Sequence, residues 1–205
     1  MYSIKETVQG EFIAKNSKFL GFLIPVVSED LVSEILQKLR RDYPGASHYC
    51  YAYIVGDTGA SQKASDDGEP QKTAGIPLLE VLKKNGLTNV LAVSIRYFGG
   101  TLLGASGLIR AYSKSISSLL ELVIKTSKKE FIRYATSIDY STHNHLENYF
   151  KSNVIVEKIT YLENVDIVFS VLKVDRDSVK QHLDEVLFGN SNLTLLEEYS
   201  IYSED

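Results

Sequence analysis

Val90-Leu91-Ala92-Val93-Ser94-Ile95-Arg96-Tyr97-Phe98-Gly99-Gly100-Thr101-Leu102-Leu103-Gly104-Ala105-Ser106-Gly107 is the stretch on which the reading of this chain turns. An unbroken apolar run leads in, and an amphipathic run from Leu108 to Val123 leads out. That order predicts a buried strand over 90–97, a glycine-rich turn, and a helix over 105–124. Gly99 and Gly104-Ala105-Ser106 have the spacing of a phosphate-binding loop, but Ala105 stands where the phosphate-reaching lysine belongs. A conventional P-loop NTPase is therefore excluded. Two readings of the turn remain open. Its backbone N–H groups, from Gly99 and Gly100 through Gly104 to Gly107, form a nest for one phosphate of a nucleotide or an RNA. Alternatively, the glycines serve a tight turn and close helix–strand packing.

Arg96, at the end of the strand and next to Tyr97, has the planar fork that holds phosphate or carboxylate. Its plainer use is an ion pair with the acidic loop upstream. On the helix that follows, Arg110 and Lys114 lie four residues apart, opposite Leu108, Tyr112, Ile116 and Leu119. They are either a solvated face or, with Arg96, an anion-binding patch. The acidic loop runs Ser65-Asp66-Asp67-Gly68-Glu69-Pro70-Gln71-Lys72-Thr73-Ala74-Gly75. Asp66, Asp67 and Glu69 together suit Mg²⁺ shared with a substrate phosphate. They suit equally a partner-facing loop, or a turn that caps the next helix. No His or Cys lies beside them, which speaks against a transition metal.

Ser47–Val55 alternates strictly, so Tyr49, Tyr51 and Tyr53 share one face and His48, Cys50, Ala52 and Ile54 the other. On an open sheet the tyrosines could stack bases; beneath a helix they are core. Cys50 reads as a buried, inert thiol and His48 as a hydrogen-bonded structural residue. Phe19–Val27 reads as a strand, with Phe12-Ile13 in one before it. A helix spans about Glu29–Arg41, capped by Ser28 and ended by Pro44-Gly45. The loop 56–72 leads to a second helix over Thr73–Lys84, stopped by Asn85-Gly86.

From Lys128 the pattern becomes strand 130–140, helix 142–151, strands 154–161 and 165–174, helix 177–188 ended by Gly189-Asn190, and strand 193–202. That is the split βαβ, ferredoxin-like order. The chain therefore reads as two modules, 1–127 and 128–205. The first carries 14 Lys/Arg and 12 Asp/Glu, a balance of +2; the second carries 8 and 14, a balance of −6. His143 and His145 are two apart on a helix and diverge, so they are not a ligand pair.

The 205 residues carry a net charge of −4, which argues against nonspecific coating of nucleic acid. One cysteine excludes an internal disulfide and fits a reducing cytosol. No run suits a membrane span, and the N-terminus lacks a signal-peptide pattern. The expected location is cytoplasmic, with no membrane partner. No Ser/His/Asp or Cys/His arrangement stands out for catalysis.

At three places the chain resembles the YigZ/IMPACT family: Ser47-His48-Tyr49-Cys50-Tyr51-Ala52-Tyr53, Asp66-Asp67-Gly68-Glu69-Pro70 with Thr73-Ala74-Gly75, and Arg96-Tyr97-Phe98-Gly99-Gly100-x-x-Leu103-Gly104. The resemblance covers about residues 1–125 by motif, and the second module by element order. Where the family often has Ser-Gly this chain has Gln71-Lys72, and Ser94 replaces a usual aliphatic. The resemblance implies an α+β, two-domain protein. Its first module would be similar to the second domain of ribosomal protein uS-five, and its ferredoxin-like second module to domain V of elongation factor G. It also implies a place in translation, since eukaryotic relatives regulate it. Arg96, Tyr97, Gly99, Gly100, Gly104, Arg110, Lys114 and Lys72, with Tyr49 and Tyr51, are then the candidate surface for RNA, the ribosome or a translation-regulatory protein, with no cofactor. The alternative is an enzyme of a phosphorylated metabolite, with Mg²⁺ on Asp66, Asp67 and Glu69. A third is an adaptor whose acidic second module docks a basic partner.

Overall fold

The computed structural model of the protein describes residues 1–189 and 192–204. The chain divides into two compact units, Met1–Ser127 joined by the residues from Tyr202 on, and Lys128–Ile201. Tyr202 thus counts with the first unit rather than with the module that precedes it. Its hydroxyl donates to Asp57 Oδ1 and accepts from Asn89 Nδ2.

The first unit is built on a five-stranded antiparallel sheet. Its strands are β2 (Val8–Ala14), β3 (Ser17–Pro25), β4 (His48–Val55), β5 (Ser61–Ser65) and β6 (Val90–Tyr97), in the order β2-β3-β6-β4-β5. A short β1 (Ser3–Ile4) pairs with Thr126 and Lys125 at the start of β7 (Lys125–Ile138). β6 is central and buried along Val90–Arg96, as its apolar run requires. Helix α1 (Glu29–Asp42) covers one face, and α2 (Gly75–Lys84) and α3 (Ala105–Ser117) the other. Ser28 Oγ accepts from Leu31 N and caps α1, as the sequence predicts.

Three expectations are corrected. Residues 56–72 are not all loop, because Ser61–Ser65 pairs with β4 as an edge strand. The long helix ends at Ser117 and gives way to a tight turn at Leu120–Leu122. Neither face of the sheet stays open, so Tyr49 and Tyr53 are core beneath α1.

In the second unit, the rest of β7 leads to α4 (Tyr140–Asn153), β8 (Ile155–Tyr161), β9 (Val165–Leu172), α5 (Arg176–Val186) and, up to Ile201, β10 (Thr194–Glu204). The strand order β10-β7-β9-β8 is ferredoxin-like. Leu146 and Phe150 of α4 and Val179 and Leu183 of α5 pack with Ile132, Ile167 and Phe169. His143 is buried and His145 exposed, so they diverge. Asn190, half of the expected Gly189-Asn190 stop, lies outside the described residues. No helix of the described residues is long and apolar enough to cross a membrane.

Candidate functional site

β6 is paired on both sides, and its register sets Arg96 beside Phe19 on β3 and His48 on β4. The guanidinium thus emerges inside the first unit, not at its surface. Arg96 is 5% exposed, and its Nη1 donates to Glu69 Oε1 at 2.6 Å. Nη2 donates to Ser17 Oγ, and the guanidinium lies between the rings of Phe19 and Phe98. Glu69 Oε1 also accepts from the Tyr112 hydroxyl at 2.7 Å, and His48 Nε2 stands 3.8 Å away. His48 Nδ1 donates to the Asp67 carbonyl, which can only accept, so Nδ1 carries a proton. Cys50 Sγ donates to the Asp66 carbonyl. Burial pushes the Cys50 thiol up to about 12 and raises the Tyr112 hydroxyl as well. Both stay protonated, so neither is a nucleophile at neutral pH.

The acidic loop does not converge on a metal. Asp66 Oδ1 accepts from Ala74 N and Gly75 N, and its Oδ2 from Lys72 N, so this side chain fastens the start of α2. Asp67 accepts from Tyr49 N and pairs with Arg40. Glu69 alone faces Arg96. Among the described residues no three His, Cys, Asp or Glu side chains gather as ligands. The geometry on which the magnesium alternative depends is absent: the three carboxylates serve three separate internal partners.

In the turn, close packing accounts for Gly99, and backbone conformation for Gly100 and Gly104. A Cβ on Gly99 would stand 2.0 Å from Asn16 O, at the β2–β3 hairpin, where Lys15 and Asn16 both have positive φ. Gly99 N donates to Ser17 Oγ. Gly100 and Gly104 have φ of 80° and 72°, with open space around them. Gly104 is the N-cap of α3, and no side chain caps that helix.

The expected surface is split. Tyr97 turns to the α1 side of the sheet, half-buried against that core. Tyr49 is buried, with its hydroxyl donating to Tyr43 O and Arg40 over its ring, and Tyr51 is half-buried in the same layer. These tyrosines offer no stacking platform, because α1 covers them. Lys72 is exposed, and its backbone N–H serves Asp66. Arg110 and Lys114 are exposed on α3, where they line a groove of about 610 Å³ with Lys15, Phe12, Leu103 and Ile109. Arg96 lines a different cavity of about 450 Å³, with His48, Glu69, Phe98, Leu103 and Gly104. The single patch of Arg96, Arg110 and Lys114 is thus corrected to two sites. Lys15, Ser17 and the Tyr112 hydroxyl were not anticipated; Lys15-Asn16 between two apolar runs is a turn signal that would have placed the first two.

The 450 Å³ cavity is where all three quoted motifs meet, although Ser47 and Gly104 stand 57 residues apart in the chain. The Impact N-terminal domain family matches residues 15–120, which contain every one of them. The chain belongs to the IMPACT family. It is similar to IMPACT family member YvyE of Bacillus subtilis, at 38% identity over 94% of this chain and 89% of that one. It is also similar to IMPACT family member YigZ of Escherichia coli, at 34% identity over 62% and 63%. A crystal structure described as a hypothetical protein superposes over 95% of both chains with a TM-score of 0.62 and 26% identity. Family membership gives the motif cavity a second meaning. The segments that mark an IMPACT chain build a mostly internal, charge-balanced frame rather than a charged face.

Proposed function

We propose that this chain is a translation-associated regulatory protein of the cytosol that works by binding rather than catalysis. Its first unit engages the ribosome through the α3 face beside the glycine turn. The observation that carries this reading is the α3 groove. Lys15, Arg110 and Lys114 line it, all three are exposed, and none pairs with a carboxylate among the described residues. Cations left without acidic partners around a concave surface favour an anionic partner. Membership of a family whose eukaryotic relatives regulate translation supplies the setting. The contact assigned to Arg96 by sequence passes to Lys15, Arg110 and Lys114, because Arg96 is already committed to Glu69.

Ribosome co-sedimentation tests this. The wild type co-sediments at low salt and is released as salt rises. Arg110→Ala/Lys114→Ala binds more weakly and lowers the slope of log affinity against log salt by roughly 2, if both contact phosphate. Co-sedimentation unchanged by the double substitution would remove the α3 face from the proposal. Salt-insensitive binding would point to a protein contact instead.

A further inference from the structure

On the reading that the α3 groove is a contact face, we propose that its occupant is an extended, acidic segment of a partner protein, added to the sheet beside β2. β2 stands at the end of the order β2-β3-β6-β4-β5, so among the described residues only β3 pairs with it. The outer edge of such a strand presents a row of N–H and C=O groups with no strand to receive them. The groove of about 610 Å³ lies between Phe12, Ala14 and Lys15 on this side and α3 on the other. Its α3 wall includes Arg110 and Lys114, on the exposed flank of the helix.

Proteins blunt a strand edge with bulges, prolines, unpaired charges or shortness. The other edges here show such devices. β8 has a register shift between Val156 and Lys158, and β5 is the short, polar Ser61–Ser65. β2 shows none of them. It pairs with β3 without a shift from Val8 to Ala14, contains no proline, and its one charge, Glu11, is paired with Lys18. A regular edge of seven residues is thus left open beside a groove.

The walls select the side chains of the added strand. Phe12, Ala14, Leu103 and Ile109 offer apolar surface, while Lys15, Arg110 and Lys114 pair with no carboxylate among the described residues. A strand laid along β2 turns alternate side chains toward α3, so a mixture of apolar and acidic residues at those positions suits this wall. Arg110 and Lys114 are separated by about 6 Å of helical rise. Alternate residues of a strand lie roughly 6.7 Å apart, so two carboxylates so placed can each meet one cation. A nucleic acid would meet the cations too, but it would leave the apolar wall and the edge of β2 without partners.

The test titrates the full chain, labelled with ¹⁵N, with the blocked heptapeptide leucine-threonine-glutamate-threonine-glutamate-threonine-leucine. It is as long as β2, and its leucines and glutamates share one face. Saturable shifts of the β2 amides are expected, with slowed hydrogen exchange at alternate ones. Lysines in place of the glutamates, or Arg110→Ala/Lys114→Ala in the protein, are each expected to weaken binding about tenfold or more. Two N-methylated peptides check the geometry, one methylated at the threonines and one at the glutamates and last leucine. Only one of these sets of N–H groups can face β2, so one peptide is expected to bind like the parent and the other at least tenfold more weakly. Equal affinities for the two would overturn strand addition. Binding of a short uridine RNA, with none of the heptapeptide, would overturn the partner class. Heptapeptide binding together with ribosome co-sedimentation indifferent to Arg110→Ala/Lys114→Ala would support the strand site and retire only the ribosome. Co-sedimentation lost in that variant, with no heptapeptide bound by the wild type, would overturn the strand site and leave the α3 face in place.

Discussion

Replacing Arg96 by methionine keeps the aliphatic bulk between Phe19 and Phe98 but removes the charge that faces Glu69. The Glu69 side chain is 3% exposed and Arg96's is 6% exposed, so water does not screen the pair. After the change, Glu69 Oε1 keeps the Tyr112 hydroxyl at 2.7 Å. One neutral donor does not compensate a buried carboxylate. Breaking a buried pair from one side costs about 3–5 kcal/mol, which is the loss expected here. Adding Glu69→Gln takes away the stranded charge and still offers Tyr112 an acceptor. Arg96→Met/Glu69→Gln should therefore lie only about 1–2 kcal/mol below wild type. Native-state hydrogen exchange at the β6 amides is the suitable assay, since it reports the opening of the first unit. Arg96→Met should speed their global-opening exchange by roughly a hundredfold to a few thousandfold, and the double substitution should recover most of that. A double variant as fast as Arg96→Met, or a single variant within about 1 kcal/mol of wild type, would refute the charge-balanced frame.

Asp66→Ala leaves three backbone N–H groups at the start of α2 without their acceptor, so the first unit should lose about 2–3 kcal/mol in urea unfolding. Asp66→Asn, which keeps one carbonyl oxygen, should lose less. The Cys50 thiol gives a pH prediction. Its folded value is raised by burial from 9.0 to about 12, so its contribution is complete below pH 9 and is lost as pH climbs toward 12. Unfolding free energy followed from pH 8 to 11 should fall less steeply in Cys50→Ala than in wild type. At pH 8 the folded protein should resist iodoacetamide while the unfolded chain reacts, as mass spectrometry would show.

Some of this architecture is legible because its physics is local. β6 is a continuous apolar run, and α1 has an intact stripe with a Ser28 cap, so both stand close to where the sequence puts them. β5 was not legible, because Ser-Gln-Lys-Ala-Ser has no apolar alternation and is a strand only through its backbone pairing to β4. The end of α3 was hidden by Leu119, Leu120, Leu122 and Val123, which continue an apolar pattern beyond the last helical residue. Alternation in β4 separates the tyrosines from Cys50, but it says nothing about what covers either face. α1 decides that, and it lies earlier in the chain. The acidic loop fails for the same reason. Asp66, Asp67 and Glu69 are visible as carboxylates, but their directions follow from backbone turns at Asp67 and Gly68, where φ is positive.

The division of labour among the charges follows from these directions. Arg40 pairs with Asp67 and Arg96 with Glu69, while Asp66 holds the start of α2. The segments that mark the family therefore use most of their charge on one another. A buried pair of this kind adds little net stability over an apolar substitute. What it adds is position. It fixes Phe98 against the guanidinium and ties Gly99 and Arg96 to the same Ser17 hydroxyl, so the chain enters α3 with its first turn uncapped. Under the proposed function, a partner would meet Lys15, Arg110 and Lys114, which pair with no carboxylate among the described residues, and not the acidic loop. Substitutions inside the frame should then change stability first and binding only through it. Substitutions at Arg110 or Lys114 should change partner binding with stability left nearly as it was.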